Sequence, residues 1–266
     1  MKIGIVGCAG RMGRMLVQTV LSTEGAEFGG GSETASSPMI GKDCCELAGL
    51  MPSGQLVTDN PRELFERVDV VIDFTIPAAT AEHARIAADL HTALIIGTTG
   101  LDSAQQGLIE AAAAQAPVVQ APNFSLGVNL LMALTEKVAA TLNEDYDIEI
   151  VEMHHRHKVD APSGTALGLG LAAAKGRGVD LDTVAQKVRD GHTGARKKGD
   201  IGFATLRGGD VVGDHTAMFA GEMESVMLTH QARSRAVFAR GAVHAALWTG
   251  GKAAGLYSMQ DVLNLD

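Results

Sequence analysis

The sequence predicts an α/β fold: a Rossmann-like, doubly wound parallel sheet, followed by a second α+β domain with an open mixed sheet. Three observations lead to this class. Short apolar strands alternate with helical segments up to about residue 125. A glycine-rich turn joins the first strand to the first helix. Beyond Ser125 a long amphipathic helix leads into a region of strands and turns. Alternating strands and helices imply right-handed crossovers and a parallel sheet.

The composition narrows the class of partner. The chain has 266 residues and a formal net charge of −9, which argues against nucleic acid or an anionic membrane as partner. Its apolar runs end well short of the ~20 residues of a membrane span, and residues 1–7 enter a strand pattern without a signal peptide. We therefore expect a soluble cytoplasmic protein. The three cysteines, Cys8, Cys44 and Cys45, match neither a disulfide framework nor a zinc motif.

The first strand, Lys2–Val6, leads into the run Gly7–Gly13 and then into a helical pattern from Arg14 to Leu21. The glycine spacing is G-x-x-G-x-x-G, not the commoner G-x-G-x-x-G. In a dinucleotide-binding turn, Gly7 and Gly10 would let the backbone approach a pyrophosphate. Gly13 would let helix and strand pack closely.

Glu33 strengthens this interpretation. It follows a plausible second strand, Glu27–Ser32, twenty positions after Gly13. An acid there would hydrogen-bond the ribose hydroxyls of the cofactor. Thr34 comes next, where an enzyme selective for NADP often has an arginine. Two cations could partly substitute for it, Arg11 and, more distantly, Lys42.

Three further strands of the first domain are predicted at 68–74, 93–96 and 117–120, with helices at 77–90 and 102–115. Polar loops at 7–12, 97–99 and 121–125 follow strands. Because ligands bind beyond the carboxyl ends of parallel strands, the three loops together outline a cofactor groove. Ordinary turn chemistry is the alternative for each loop alone.

The second domain begins with a helix at about 127–142 and a strand over Tyr146–Glu152. A helix at 164–175 and strands at 201–206, 211–219 and 225–230 complete it, and a helix over Ser234–Trp248 returns to the first domain. We expect residues 1–125 with 234–266 to form the dinucleotide-binding domain, and 126–233 to form a second domain that assembles into an oligomer. An open sheet has an exposed face, which favours assembly.

The run from Glu152 to Ala166 is the most unusual stretch. Seven of the nine side chains from Glu152 to Asp160 can carry charge. Cations ahead of a helix N-terminus that begins near Ser163 are suited to binding an anion. The histidines could move protons near neutral pH. A solvated charged loop is the alternative.

These residues resemble one known family. Gly7–Gly13, Gly97–Gly100, Pro122–Ser125 and Glu152–Ala166 together are similar to the 4-hydroxy-tetrahydrodipicolinate (dihydrodipicolinate) reductases of the diaminopimelate route to lysine, over nearly the whole chain. The resemblance implies reduction of 4-hydroxy-tetrahydrodipicolinate to tetrahydrodipicolinate by NADH or NADPH. It implies His154 as proton donor and Lys158 as stabiliser of the developing charge.

Further site residues follow from the resemblance. The substrate, a small cyclic dicarboxylate, would be held by His155, Gly164 and Thr165. The cofactor would be held by Gly7, Cys8, Ala9, Gly10, Arg11, Met12, Glu33, Gly97, Thr98, Thr99, Ala121, Pro122, Asn123 and Phe124. We assign no step of the reaction to three further residues of the motif, Arg156, His157 and Asp160.

The resemblance also implies a homotetramer in which residues 126–233 bind the substrate and make the subunit contacts. It implies that the two domains close on the reactants and exclude water. Thr34 departs from family members that have an arginine after the acid. We therefore predict that NADH is used at least as readily as NADPH.

Two rivals differ in class. A metal-dependent hydrolase could use His154, His155 and His157, but adjacent residues of a strand point to opposite faces, and Arg156 and Lys158 would repel a cation. A non-catalytic dinucleotide sensor could use the fold for binding alone. That reading leaves the proton-donor cluster unexplained.

Overall fold

The structure, a computed structural model, describes residues 1–265. The described chain forms two compact units. The first unit comprises Met1–Leu126 and Ala236–Asn264, and the second comprises Gly127–Arg235 with Leu265. In the described range no helix is long and apolar enough to cross a membrane.

The strands in chain order are β1 (Lys2–Val6), β2 (Glu27–Ser32), β3 (Val70–Asp73), β4 (Ala93–Ile96), β5 (Pro117–Gln120), β6 (Asp147–His154), β7 (Ala185–Gln186), β8 (Ile201–Arg207), β9 (Gly213–Ala220), β10 (Ser225–Ala232) and β11 (Gly255–Tyr257). The helices are α1 (Arg11–Leu21), α2 (Cys44–Leu47), α3 (Pro61–Glu66), α4 (Pro77–Leu90), α5 (Ser103–Ala113), α6 (Leu126–Thr141), α7 (Gly164–Arg177), α8 (Leu181–Val184), α9 (Ala236–Trp248) and α10 (Met259–Leu263).

The first unit is built on a six-stranded sheet in the order β11-β5-β4-β3-β1-β2, with every pairing parallel. Alternate residues of each strand enter opposite cores. In β3, Val70 and Ile72 pack with α1 and α9, whereas Val71 packs with α4 and α5. Because both faces are covered, the strands are continuous apolar runs. The predicted doubly wound sheet is confirmed.

The second unit contains a five-stranded mixed sheet in the order β10-β9-β6-β8-β7. β6 pairs with β8 in parallel and with β9 antiparallel. Residues on one face, among them Ile150, Phe203 and Phe219, form a core with α6 and α7. The opposite face carries the exposed side chains of Leu206 and Met227. This is the open mixed sheet that the sequence predicted.

Several boundaries differ from the predicted ones. Helix α1 begins at Arg11, directly after the glycine turn, and not at Arg14. Strand β6 continues to His154, because its antiparallel and parallel partners extend beyond Glu152. The glycines of β2 do not break that strand; a Cβ at Gly31 would lie 2.6 Å from the Cys8 sulfur, so the packing there requires glycine. Five short elements were not predicted: α3, α8, β7, β11 and α10. All three cysteines are buried free thiols.

Candidate active site

A buried carboxylate organises the charged stretch of the second unit. Glu152 on β6 is 1 % exposed and accepts hydrogen bonds from three residues. They are His154 Nδ1 at 2.5 Å, Arg207 Nη1 and Nη2 at 2.8 and 3.1 Å, and the Ser163 backbone N–H at 3.0 Å. Burial disfavours the charge of Glu152, but the hydrogen bonds from Arg207 and His154 lower its pKa below the ordinary value. Glu152 is therefore an ionised acceptor.

His154 lies two residues along β6 from Glu152, so both side chains point to the same face of the sheet. Because the carboxylate only accepts, His154 Nδ1 donates to it and the proton of the neutral ring is on Nδ1. Burial lowers the pKa of His154, although the hydrogen bond to Glu152 opposes this. A Cβ at Gly213 on β9 would lie 2.9 Å from His154 Nε2, so glycine leaves that nitrogen its space.

His215 is the cross-strand neighbour of Glu152 on β9. Its ring centroid lies 5.0 Å from that of His154, edge to face. Burial, together with repulsion from protonated His154, lowers the pKa of His215 to about 4. Its Nε2 lies 3.2 Å from Ser163 Oγ. His215 is therefore a neutral group that links the histidine pair to the start of α7.

Helix α7 begins where the sequence predicted. Ser163 is its N-cap, and its Oγ accepts from the Ala166 N–H at 3.2 Å. The Ala161–Pro162 peptide that precedes it is cis. A Cβ at Gly164 would meet nothing within 4 Å, so the first turn borders open space. The positive end of the α7 dipole at Gly164 and Thr165 favours an anion.

The remaining cations lie in the loop after β6, at the end of β8 and directly before α9. Lys158 Nζ is 2.8 Å from Asp160 Oδ1, and Arg207 Nη2 donates to the Asp160 carbonyl at 2.6 Å. His155 is half-buried, and its Nε2 lies 3.5 Å from Arg235 Nη2. The structure thus adds Arg207 and Arg235 to the cations that the sequence indicated.

In the first unit, the glycine turn has the conformation that its sequence requires. Gly7 has φ +68°, which favours glycine. A Cβ at Gly13 would lie 2.1 Å from the Gly7 carbonyl oxygen, so helix and strand pack as closely as predicted. Gly10 is the N-cap of α1 and has no side chain to cap the helix. First-turn amides of α1 are thus left for a phosphate, and the cradle fits a dinucleotide.

Glu33 lies against this turn. Its Oε1 accepts the Ala9 backbone N–H at 2.8 Å. Arg14 Nε donates to the Ala9 carbonyl at 2.8 Å, so the tip of the turn is fixed from both sides. Arg11 is exposed and Met12 is half-buried in the first turn of α1. The structure therefore brings Glu33 to the glycine turn, and its predicted contact with a ribose stays a prediction.

The loop at 97–99 is attached to a buried polar network at the carboxyl end of β3. Asp73 is 0 % exposed and accepts from His83 Nδ1 at 2.7 Å and Thr75 Oγ1 at 2.6 Å. Thr98 Oγ1 lies 3.4 Å from Asp73 Oδ1 and 2.8 Å from Thr80 Oγ1. Burial opposes the charge of Asp73, yet the hydrogen bond from His83 lowers its pKa. Asp73 was not among the predicted site residues, although an acid at the end of an apolar strand is a usable signal.

The loops at 97–99 and 121–124 share one cleft of about 500 Å³, lined among others by Thr98, Thr99, Ala121 and Pro122. A Cβ at Gly97 would lie 2.3 Å from the Phe74 ring, which explains the glycine. Phe124 is buried against Phe74, with ring centroids 5.3 Å apart. Asn123 Oδ1 accepts the Ser125 N–H at 2.8 Å and shapes this loop. Both loops follow the carboxyl ends of parallel strands, the edge at which open α/β sheets bind their ligands.

The histidines do not form a metal site. Across residues 1–265, no three His, Cys, Asp or Glu side chains are placed to hold a metal ion. His154 Nδ1 is engaged by Glu152, and His155 and His157 have ring centroids 6.2 Å apart. The geometry supports proton transfer beside an anion site.

Comparisons with known proteins agree with this geometry. The family model described as "Dihydrodipicolinate reductase, N-terminus" matches residues 1–124, and "Dihydrodipicolinate reductase, C-terminus" matches residues 127–263. The chain is 56% identical over 267 residues to a 4-hydroxy-tetrahydrodipicolinate reductase of Sinorhizobium fredii, covering 100% of this chain and 98% of that protein. It is 52% identical to one of Brucella abortus, with 100% of both chains covered.

One solved structure has a similar fold over nearly the whole chain. It is a dipicolinate-bound dihydrodipicolinate reductase from Paenisporosarcina sp. TG-14, with a TM-score of 0.77 and 26% identity. The match covers 97% of this chain and 97% of that one.

Proposed function

Because the chain belongs to the dihydrodipicolinate reductase family, we propose specific roles for its residues in the reaction of that family. The chain is an NAD(P)H-dependent oxidoreductase that reduces 4-hydroxy-tetrahydrodipicolinate to tetrahydrodipicolinate, with loss of the 4-hydroxyl group as water, in diaminopimelate and lysine biosynthesis. The resemblance found in the sequence is thereby confirmed. The observation that carries the residue roles is the Glu152–His154 hydrogen bond beside the open start of α7.

His154 is the proton donor. Its Nδ1 is held by Glu152, so Nε2 is the atom that delivers a proton to the substrate carbon. The low pKa of His154 in the free protein favours the neutral ring. A dianionic substrate beside the ring favours the protonated form, because an opposite charge within a few ångströms raises a histidine pKa. Substrate binding and loading of the proton are thus coupled.

The substrate is a cyclic dicarboxylate, and the second unit offers matching groups. The first turn of α7, at Gly164 and Thr165, receives one carboxylate through backbone amides and the helix dipole. His155, beside Arg235, receives the other. Lys158 stabilises the negative charge that develops on the ring. Dipicolinate, the ligand of the Paenisporosarcina relative, is an aromatic dicarboxylate of the same kind.

The nicotinamide cofactor supplies the hydride. In the first unit the glycine turn and the α1 N-terminus would hold its pyrophosphate, and Glu33 its adenosine ribose. The loops at 97–99 and 121–124 would hold its nicotinamide end. We assign dinucleotide binding to residues 1–125 with 234–266, and substrate and subunit contacts to residues 126–233.

A homotetramer is the assembly we propose, in the cytoplasm where the nicotinamide pool is found. Its support is the uncovered face of the second sheet, where Leu206 is 51% and Met227 59% exposed. A sheet face with large apolar side chains is normally covered by a partner. Sedimentation velocity would test this assembly, and a monomer at micromolar concentration would contradict it.

The proton-donor assignment is tested with His154→Gln, by following NADH and NADPH oxidation with substrate generated in situ. We expect kcat to fall by about 10²-fold or more with cofactor affinity retained. His157→Gln, an exposed histidine of the same stretch, is the matched control. Loss of less than threefold in the His154 variant would contradict the assignment.

A further inference from the structure

We propose that Glu152 is a positioning residue that fixes the acid His154 and the carboxylate-binding start of α7 relative to each other. The inference rests on the proposed roles of His154 and of Gly164 and Thr165. Glu152 does not act on the substrate itself; it acts through the groups that it binds.

The two carboxylate oxygens have different partners. Oε2 accepts from His154 Nδ1 at 2.5 Å and from Arg207 Nη1 at 2.8 Å. Oε1 accepts from the Ser163 N–H at 3.0 Å and from Arg207 Nη2 at 3.1 Å. One oxygen of Glu152 therefore holds the proton donor His154, and the other holds Ser163, the N-cap of α7. The planar guanidinium of Arg207 bridges both oxygens and fixes the rotation of the carboxylate.

The Glu152 carboxylate determines which tautomer the His154 ring adopts. An ionised acceptor at Nδ1 requires a proton there, so Nε2 is the exchangeable position. An amide in place of the carboxylate could donate to Nδ1 and move the proton of the neutral ring to Nε2. The ring orientation would also loosen, since the charge-assisted hydrogen bond would become a neutral one.

On the anion side, the carboxylate holds the entry to α7. Ser163 is fixed through its backbone N–H by Glu152 and through its Oγ by the Ala166 N–H and His215 Nε2. Its orientation determines where the amides of Gly164 and Thr165 point. Arg207 extends the same control to the loop, because its Nη2 also donates to the Asp160 carbonyl at 2.6 Å.

The charges around the pair come from every neighbouring element. They are Glu152 and His154 on β6, Lys158 and Asp160 in the following loop, Arg207 on β8 and His215 on β9. Glu152 and Asp160 are the acids in this group. Glu152 contacts His154 directly, whereas Asp160 pairs with Lys158.

The test is Glu152→Gln, assayed with NADH and substrate. We expect kcat to fall by about 10- to 100-fold, the loss typical of groups that hydrogen-bond and orient a metal-bound histidine. The KM for substrate should rise several-fold, and the dissociation constant for NADH, whose site lies in the first unit, should stay within twofold. In ¹⁵N spectra of the neutral protein, the His154 proton should move from Nδ1 to Nε2.

Glu149→Gln is the matched control. Glu149 is on the same strand and is also bound by arginines, with Arg189 Nη1 and Nη2 at 2.8 and 2.9 Å and Arg196 Nε at 2.8 Å. It has no hydrogen bond to His154 among the described residues. We expect this variant to keep kcat, KM and the His154 tautomer. If it matched Glu152→Gln in all three, a general loss of sheet integrity would replace the positioning role.

A double variant separates this inference from the proton-donor assignment. In the His154→Gln background, Glu152→Gln should add little to the loss in kcat, while its effect on KM remains. An active His154→Gln enzyme would refute the proton donor. If His154→Gln were inactive while Glu152→Gln kept kcat and KM within threefold of wild type, the positioning role alone would be refuted. Should Glu152→Gln not fold, Glu152→Asp retains the buried charge with a shorter reach, and unchanged kcat and KM there would equally overturn the proposal.

Discussion

The backbone N–H of Ala9 donates to the carboxylate of Glu33 over 2.8 Å. This hydrogen bond joins the tip of the glycine turn to the residue that follows β2. We propose that the same carboxylate meets the adenosine ribose of the dinucleotide. A 2′-phosphate in that position would meet a fixed negative charge, and Thr34 offers no cation to offset it.

For this reason we predict that NADH is used at least as readily as NADPH. Steady-state kinetics with both cofactors would measure the ratio of kcat/KM values. A ratio that favours NADPH by roughly tenfold or more, about 1.4 kcal/mol in transition-state binding, would contradict the prediction. Thr34→Arg should shift the ratio toward NADPH by about tenfold, because a guanidinium there can pair with the phosphate. Glu27→Gln, an exposed change at the start of β2, should leave the ratio unaltered.

A second prediction concerns the close contact inside the glycine turn. Gly13→Ala places a methyl group 2.1 Å from the Gly7 carbonyl oxygen, which is backbone and cannot swing away. We expect thermal unfolding at a lower temperature, with a loss of roughly 1–3 kcal/mol, and NADH affinity reduced at least tenfold. Gly107→Ala in α5 is the control, since its Cβ would meet nothing within 4 Å. That change should stabilise the protein by about 0.5–1 kcal/mol. Equal behaviour of the two variants would count against the contact.

A third prediction concerns pH and His215. Burial holds its folded-state pKa at about 4, below the ordinary 6.5. As the pH falls, the unfolded chain binds this proton first, so its contribution to stability is complete above about pH 6.5 and lost between 6.5 and 4. The shift corresponds to about 3 kcal/mol. Urea unfolding should show about half of this loss between pH 7 and pH 5, and His215→Asn should reduce the difference. His192→Asn, at an exposed histidine, should retain the full difference. If the free energy of unfolding depended on pH in His215→Asn as it does in wild type, His215 would not be the source of this dependence.

Lys158 provides a fourth prediction. Lys158→Met keeps the length of the side chain and removes the charge that stabilises the developing anion. We expect kcat with NADH to fall by about 10²-fold, without a change in NADH affinity. Lys175→Met is the control, because Lys175 also forms an ion pair, with Glu136 at 2.8 Å, on an exposed helix surface. If Lys158→Met were as active as Lys175→Met, the proposed role of Lys158 in the reaction would be contradicted.

Local sequence signals predicted the first unit well. Helix α4 has the predicted bounds, because Pro77 at its first turn and a left-handed His91 at its end are strong local boundaries. Strands β4 and β5 also match, since buried parallel strands are short apolar runs between turns. The short elements α3, β11 and α10 give too few residues for a periodic pattern.

Less of the candidate site could be predicted from the sequence. The motif from Glu152 to Ala166 identified the histidines and the start of α7, but not their partners. Arg207 is 55 positions from Glu152, and His215 is 52 from Ser163. Only the pairing of β6 with β8 and β9 brings these residues together, and strand order and register follow from tertiary packing, not from local propensity.

The path of the chain through the first unit has a consequence for protein synthesis. Helix α9 covers one face of the first sheet with Ala242 and Val243 fully buried, and β11 completes the edge beside β5. Both belong to the segment 236–264, which leaves the ribosome after the whole of the second unit. During translation, residues 127–235 can therefore reach a finished fold while the nucleotide-binding sheet still lacks an edge strand and part of its apolar cover. For that interval, the part of the enzyme made first is the part finished last.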